Sequence, residues 1–231
     1  MVQHGVTRVT TGGRVGEDIF AVFEAAKGFM PADEGRALHA AAVEAAATTG
    51  LPLLEIGTYC GRSTLLLADA ARAAGTVVVT VDHHRGSEEQ QPGQEFEDED
   101  LADPEFPGRM DTLPHFRRTL AKAGLEEYVV AVVGRSPQAA SALDGGGGGR
   151  FGLVFIDGGH TDEHANADYE SWVPQLAAGG LLAIHDVFPD PAEGGQAPYR
   201  IWRRALATGG FAEVSACRSL RVLRRTGATG A

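Results

Sequence analysis

The sequence has little cysteine and far fewer basic than acidic side chains. Cys60 and Cys217 are its 2 cysteines in 231 residues, which excludes a disulfide framework and favours a reducing compartment. Its 20 lysines and arginines stand against 31 aspartates and glutamates, giving a formal net charge of −11. Because nucleic-acid binding needs a basic face, this balance argues against a DNA or RNA partner.

Long apolar runs are missing as well. No run reaches the roughly 20 residues that a membrane-spanning helix needs. The first residues, MVQHGVTRVTTGG, lack the apolar stretch of a secretion signal. We therefore expect a cytoplasmic protein with no membrane partner, built as one domain or as one domain with a cap.

What the sequence does contain is a regular alternation of strand and helix patterns. Buried strands are predicted at LPLLEIG, TVVVTVD, YVVAVVG, FGLVFID and LLAIHDV, and a helical pattern follows each of them. One of these helices is expected to run through DEHANADYESWVPQLAAGG. FAEVSAC and RSLRVLRR follow as two further strands in a hairpin. The prediction is an α/β fold: a doubly wound, Rossmann-like, seven-stranded sheet with helices on both faces, mostly parallel, with an antiparallel C-terminal edge hairpin.

Three segments stand out from this alternation. Residues 1–50 are predicted to form an N-terminal helical cap on the substrate side of a ligand-binding domain at 51–231. The acidic segment 83–111 is too long for an ordinary connection and leaves from the carboxyl end of a strand, so we expect a lid over the ligand site. The glycine run 145–149 is expected to be a flexible surface loop.

The stretch LLEIGTYCGRST joins the first predicted strand to its helix through a glycine turn. Gly57 and Gly61 do not form the Gly-x-Gly-x-x-Gly pattern of nicotinamide cofactors, and Glu55 suits a positively charged ligand rather than a pyrophosphate. Asp82 ends the second strand, where an acid can bind both ribose hydroxyls. Ser136 follows the third strand, where an adenine edge would lie. A ligand that combines an ammonium group, a ribose and an adenine is S-adenosylmethionine.

Four motifs, LLEIGTYCGRST, VTVDHH, FGLVFIDGGH and LLAIHDV, together resemble the class I S-adenosylmethionine-dependent methyltransferases. The chain is most similar to bacterial small-molecule O-methyltransferases of the methyltransferase-24 type, over about Leu51 to Val187. The resemblance implies that residues 51–231 bind S-adenosylmethionine and that a natural-product-like hydroxyl of a small molecule accepts the methyl group. A homodimer is also expected.

The resemblance also implies a set of cofactor residues. It places Glu55, Gly57 and Gly61 around the methionine part of the cofactor. It places Asp82 at the ribose and Ser136 at the adenine side. The full set expected to bind the cofactor is Glu55, Gly57, Thr58, Gly61, Ser63, Asp82, His83, Ser136 and Asp157.

The chemistry is expected beyond the fourth and fifth strands, which end at Asp157 and at the pair His185 and Asp186. Methyl transfer requires an acceptor oxygen that is held in line and loses its proton. A histidine base or a divalent metal could remove that proton. The candidate catalytic residues are Asp157, His160 and His185. By resemblance, Asp157, His185 and Asp186 would hold Mg²⁺ or Mn²⁺; without a metal, Asp157 would orient the substrate and a histidine would act as base.

Other functions remain open at this point. An aminopropyl transferase would share the fold, and a non-catalytic module could bind S-adenosylmethionine only to sense it. A nicotinamide oxidoreductase would need the missing three-glycine motif. A nucleic-acid methyltransferase is disfavoured by the net charge and by the lack of an Asn/Asp-Pro-Pro-Tyr/Phe motif after the fourth strand.

Overall fold

The computed structural model describes residues 15–143 and 149–227 and contains one seven-stranded sheet. Its strands are β1 (Leu53–Ile56), β2 (Val78–Asp82), β3 (Val129–Val133), β4 (Phe151–Ile156), β5 (Leu176–Ile184), β6 (Phe211–Cys217) and β7 (Leu220–Arg225). The strand order is β3-β2-β1-β4-β5-β7-β6, with β1 to β5 parallel and β7 antiparallel to both β5 and β6. The predicted fold class, including the antiparallel edge hairpin, is confirmed.

Seven α-helices cover the two faces of the sheet in the described part of the chain. They are α1 (Glu17–Ala25), α2 (Ala32–Thr49), α3 (Arg62–Ala74), α4 (Leu113–Ala123), α5 (Ser136–Leu143), α6 (Asp162–Trp172) and α7 (Ala197–Ala207). Helices α1 to α4 lie on one face and α5 to α7 on the other, because they belong to two separate hydrophobic cores. None of these described helices is both long and apolar enough to cross a bilayer.

Alternate residues of each inner strand supply the two cores. In β4, Leu153 and Phe155 pack toward α2 and α3, whereas Val154 and Ile156 pack toward α6 and α7. This is the period of two that strand geometry imposes. Since both faces are covered, every residue of β4 is apolar or glycine and buried, which is why the inner strands read as continuous apolar runs in the sequence.

The N-terminal helices share the core of the sheet. Phe23 of α1 and Leu38 of α2 are fully buried in the same cluster as Leu53 and Leu153. Helix α2 is closed by Gly50, whose φ is 65°, and α1 was not predicted. The division at residue 50 stays a prediction; residues 1–14 of that cap, and most of the glycine run 145–149, lie outside the described residues.

One predicted boundary is wrong. The sequence pattern extended the sixth helix to Gly180, but α6 ends at Trp172 and β5 begins at Leu176. A single 3-10 turn, Val173–Gln175, separates them and contains Pro174, which cannot continue the helix because it has no N–H and clashes with the preceding turn. The small residues after Leu176 belong to the start of β5, where the pairing with β4 is irregular.

Gly57, directly after β1, lies close to the backbone of Asp157, directly after β4. Its φ is +85°, and a Cβ at this position would lie 2.0 Å from the carbonyl oxygen of Asp157. The ends of the two strands can therefore approach this closely only with glycine here. This approach brings the glycine turn beside the residues that follow β4.

We predict that Gly57→Ala destabilises the protein more than Gly75→Ala does. Gly75 has a similar φ of +71°, but nothing lies within 4 Å of a Cβ added there. The loss of stability in Gly75→Ala therefore measures only the cost of a left-handed backbone conformation, about 1–2 kcal/mol. The clash at Gly57 should add about 1–3 kcal/mol. Urea unfolding of both variants measures the difference, and an equal loss of stability would contradict the close approach.

Candidate active site

A large cavity opens at the carboxyl ends of β1, β2, β4 and β5. Its volume is about 1190 Å³, above the roughly 300–1,000 Å³ of a pocket for one drug-sized ligand. Ligands bind at this edge of doubly wound sheets. The cavity therefore has room for a cofactor and a second small molecule. Of the predicted site residues, those lining it are Gly57, Thr58, Ser63, Asp82, His83, Ser136, Asp157, His160, His185 and Asp186.

Glu55 and Gly61, also expected at the cofactor, are not among the lining residues. The Glu55 side chain is fully buried and points into the start of α3, where it accepts hydrogen bonds from Ser63 Oγ at 2.5 Å and Thr64 Oγ1 at 2.6 Å. Burial raises the pKa of Glu55 to about 8, although both hydroxyls oppose the shift. The interpretation of Glu55 as a partner of the cofactor's ammonium group is therefore corrected: Glu55 holds the glycine turn on α3.

The glycine turn exposes backbone to the cavity. Gly61 caps α3 at φ 86°, with Phe116 of α4 at 3.0 Å from the position of an added Cβ. Tyr59 also has a positive φ, 48°, which is uncommon for a non-glycine residue. Such backbone strain is found at ligand sites that the surrounding structure holds in place.

Asp82 at the end of β2 holds the same turn from the other side. Its Oδ2 accepts hydrogen bonds from the backbone N–H groups of Thr58 and Tyr59, both at 2.8 Å, and its Oδ1 accepts one from His84 N at 2.7 Å. Each carboxylate oxygen has further lone pairs, so the carboxylate can still accept hydrogen bonds from a ligand. His83 lies next to it at the cavity wall.

Ser136 lies at the other end of the cavity, at the start of α5. Its Oγ accepts a hydrogen bond from Trp172 Nε1 at 2.8 Å, so α6 fixes its position. Asp168, also on α6 and at the cavity wall, is buried and was not predicted. Burial raises the pKa of Asp168 to about 6, against the effect of its hydrogen bond with Ser136.

His185 lies between two carboxylates at the end of β5. Its Nδ1 is 2.9 Å from Asp157 Oδ1, and its Nε2 is 2.9 Å from Glu34 Oε2 of α2. Burial lowers the pKa of His185, but Asp157, Asp186 and Glu34 outweigh it and hold that pKa well above its ordinary value. The ring is thus charged and bonded at both nitrogens, so His185 is a poor general base.

His160 lies in a second, more exposed position between carboxylates. Its Nδ1 is 2.8 Å from Glu89 Oε1, and its Nε2 is 3.1 Å from Asp186 Oδ2. Burial lowers its pKa, but the hydrogen bonds to Asp186 and Glu89 raise the pKa of His160 to about 10. Asp186 has a φ of 55°, so the backbone itself is strained where it turns this carboxylate to the cavity.

The residues that could share one metal ion differ from the predicted set. Asp157, His160 and Asp186 each offer a ligand atom within 4.8 Å of the others. His185 is not part of this group; its side chain is more deeply buried than that of His160, with exposed fractions of 5% and 31%. The geometry therefore replaces His185 with His160 in the candidate ligand set. Two carboxylates and an imidazole suit manganese, iron or zinc better than magnesium.

The segment 83–111 borders the cavity in the structure. Lys27, in the connection between α1 and α2, is 2.6 Å from Asp98 and 2.9 Å from Asp100. Phe96 packs edge-on against Phe29, with ring centroids 5.4 Å apart. Glu89 reaches His160, as described above. The segment thus joins the N-terminal connection to the residues that follow β4.

Besides Asp168, two acids that contact the histidines of this site were not predicted from the sequence, Glu34 and Glu89. Glu34 is the third residue of α2 and reads as an ordinary first-turn acid that complements the helix dipole. Glu89 is one of many acids in its segment. Their partners, His185 and His160, are 151 and 71 residues away in the chain, so no local spacing could have indicated either pair.

Comparisons with known proteins identify the family of the chain. The model of the methyltransferase-24 family, described as a methyltransferase domain, matches residues 54–187, more than half of the chain. This range runs from β1 to the residues just after β5 and includes the glycine turn, Asp82, Asp157 and Asp186.

Several solved structures share the fold at low sequence identity. A protein from Corynebacterium glutamicum is 16% identical, with a TM-score of 0.63 over 94% of this chain and 92% of that one. The O-methyltransferase TomG from Streptomyces achromogenes, solved with S-adenosylmethionine, is 18% identical, with a TM-score of 0.59 over 94% and 92%. An O-methyltransferase from Bacillus cereus, solved with S-adenosylhomocysteine, is 18% identical, with a TM-score of 0.57 over 91% and 90%. From the family match, the chain belongs to the methyltransferase-24 family of S-adenosylmethionine-dependent methyltransferases.

Proposed function

We propose that the chain transfers the methyl group of S-adenosylmethionine to a hydroxyl oxygen of a small molecule. The observation that carries this proposal is the single cavity in which the glycine turn and Asp82 face Asp157, His160 and Asp186. The O-methyltransferases solved with S-adenosylmethionine or S-adenosylhomocysteine support it by their shared fold.

The charges of the site suit a sulfonium ligand. Four carboxylates, those of Glu34, Glu89, Asp157 and Asp186, surround the two imidazolium groups of His160 and His185. The excess of negative charge favours a positively charged ligand next to Asp157 and Asp186. Asp82, farther along the same edge, is proposed to bind the ribose, and Ser136 to lie beside the adenine.

We further propose that Asp157, His160 and Asp186 hold a divalent metal such as Mn²⁺. Their ligand atoms are close enough to share one ion, and His160 would have to give up its proton to bind it. A metal in this position lowers the pKa of an acceptor hydroxyl. The histidine-base alternative is disfavoured, because His160 and His185 are both held as cations by their carboxylate partners.

The acids of the segment 83–111 give little support to an aminopropyl transferase. Several of them are already paired within the protein: Asp98 and Asp100 with Lys27, and Asp103 with Arg85. They are therefore not free to surround an amine substrate. The predicted homodimer, the absence of a nucleic-acid partner and the cytoplasmic location stay predictions.

The activity is tested by incubating the protein with S-adenosylmethionine and panels of polyphenols, sugars and amino acids, and then measuring S-adenosylhomocysteine by mass spectrometry. We expect acceptor-dependent formation of S-adenosylhomocysteine and a product 14 mass units heavier at an oxygen, the mass of the CH₂ that methylation adds. Decarboxylated S-adenosylmethionine with an amine acceptor is the comparison. Turnover of that pair alone would favour the aminopropyl transferase, and binding without any turnover would favour a sensing module.

Asp82→Ala should weaken S-adenosylhomocysteine binding by about 1.5–3 kcal/mol, since a charge-assisted hydrogen bond to the ribose is lost. Calorimetry measures the affinity, and Glu127→Gln, a change at an exposed acid, controls for the lost charge. A ligand analogue without ribose hydroxyls separates the ribose contact from the support of the glycine turn. Asp82→Ala should weaken the analogue only by what the loosened turn costs, so the preference for the hydroxylated ligand should shrink in this variant. An unchanged preference for the hydroxylated ligand in Asp82→Ala would contradict the ribose contact.

His160→Ala should weaken Mn²⁺ binding roughly tenfold or more. Mutation of residues that only support a metal's ligands already lowers metal affinity by about this much, and His160 is proposed to bind the metal directly. His164→Ala is the matched control, because His164 lies one helical turn away and its nearest acid, Glu88, is at 3.6 Å outside the cluster. Electron paramagnetic resonance of free Mn²⁺ reports the affinity without an acceptor. Full methyl transfer in excess chelator would contradict a catalytic metal.

The segment 83–111 is proposed to act as a lid that is stabilised when ligands bind. We expect S-adenosylhomocysteine to slow proteolytic cleavage within it, because the segment borders the cavity through Glu89 and Phe96. Phe106, which is exposed and lies near Arg109 instead, offers Phe106→Ala as a control that leaves this protection intact. Equal cleavage with and without ligand would count against a lid.

A further inference from the structure

Glu34 connects the catalytic end of the cavity to two elements at a distance from it. We propose that Glu34 is a positioning residue: it fixes the ring of His185 and, through that ring, the carboxylate of Asp157. The inference rests on the proposed function, because it requires Asp157 to act on the acceptor or its metal. Glu34 itself is buried and does not line the cavity.

Both oxygens of the Glu34 carboxylate have partners. Oε1 accepts hydrogen bonds from Ser219 N at 2.7 Å, Ser219 Oγ at 2.8 Å and Leu220 N at 3.2 Å, all from the β6–β7 hairpin. Oε2 lies 2.9 Å from His185 Nε2. The three donors fix the position of Oε1. Because the carboxylate is planar and rigid, Oε2 is then directed toward His185.

The His185 ring is in turn fixed at two opposite points. Its Nε2 faces Glu34, its Nδ1 donates to Asp157 Oδ1 at 2.9 Å, and the ring of Phe155 packs against it edge-on with centroids 6.4 Å apart. Without Glu34, the ring could turn about its side-chain torsions. The Asp157 carboxylate, which borders the cavity, would then lose its only described side-chain hydrogen-bond partner.

Glu34 is not needed merely to tie α2 to the hairpin. The neighbouring residue, Asp33, forms an ion pair with Arg218 that joins the same two elements at the surface and does not touch His185. Burial of a carboxylate is costly unless it is fully paired. The ion pair between Asp33 and Arg218 already links α2 to the hairpin. What Glu34 adds to this link is its contact with His185.

Three variants separate positioning from a general structural role. Glu34→Gln keeps the geometry. Its amide oxygen accepts the hydrogen bonds of the three hairpin donors, so its amide nitrogen faces His185 Nε2 and donates to it. The Nδ1–H group of His185 then remains directed at Asp157. Glu34→Ala removes both contacts. Asp33→Asn is the matched control, since it removes a link between α2 and the hairpin that does not reach the site.

The first measurement is NMR of the protein labelled with ¹⁵N-histidine, with His185 assigned by its absence in His185→Phe. We expect a slowly exchanging His185 Nδ1–H proton in wild type, Asp33→Asn and Glu34→Gln, and its loss in Glu34→Ala. The second measurement is methyl transfer to 3,4-dihydroxybenzoate as a probe. Glu34→Ala should lower kcat roughly tenfold or more, with S-adenosylhomocysteine affinity unchanged, whereas Glu34→Gln should stay within about threefold of wild type.

If Glu34→Ala does not fold, Glu34→Asp replaces it, because a side chain one methylene shorter can reach the hairpin or His185 but not both. A His185 signal and a kcat like those of wild type in Glu34→Ala or Glu34→Asp would overturn the inference. So would an equal loss of S-adenosylhomocysteine affinity and kcat. If wild type neither binds S-adenosylhomocysteine nor methylates any acceptor, the proposed function fails, and the NMR signal still decides whether Glu34 fixes His185.

Discussion

The buried contact between His185 and the carboxylates of Glu34 and Asp157 connects the parts of this molecule that are distant in sequence. Glu34 comes from α2, His185 from the end of β5, Asp157 from the end of β4, and Ser219, which donates to Glu34, from the hairpin at the sheet edge. Charged groups this deeply buried are stable only as a complete set, because removing one partner leaves the next charge unpaired. Helix α2 and the C-terminal hairpin thus contribute to the proposed active site.

A second set of contacts places the cofactor end of the cavity. Gly57 lets β1 and β4 approach, Glu55 holds the glycine turn on α3, and Asp82 accepts hydrogen bonds from the backbone of the same turn. The turn is therefore held from three sides before any ligand binds. Such pre-organisation reduces the entropy that a ligand loses on binding.

The sequence was sufficient for the features that depend on local patterns. The apolar runs, the glycine turn and the acids at strand ends predicted the sheet and its antiparallel edge. Most of the predicted site residues line the cavity, because side chains at the carboxyl ends of parallel strands must share one edge. The first helix, α1, is hard to predict because it has only 9 residues and begins after Gly16, which provides no side-chain cap. The interpretation of Glu55 was wrong for a different reason. Its position at a strand end is visible in the sequence, but the direction of its side chain, toward Ser63 and Thr64, depends on packing.

The choice between His160 and His185 as a metal ligand could not be made from the sequence either. Both follow strands at the correct edge, and both rings lie between two carboxylates. They differ in burial, with 5% of the His185 side chain exposed against 31% for His160, and burial depends on packing. Glu34 reaches His185 across 151 residues of sequence. Contacts of this kind arise only in the assembled fold.

A crystal structure with bound S-adenosylhomocysteine tests the central claim most directly. The account predicts that the ligand lies along the strand ends, with its ribose hydroxyls on Asp82, its adenine beside Ser136 and its sulfur directed toward Asp157 and Asp186. His185 should remain bonded to both Glu34 and Asp157. A ligand bound away from Asp82, or with its sulfur directed away from Asp157, would contradict the account.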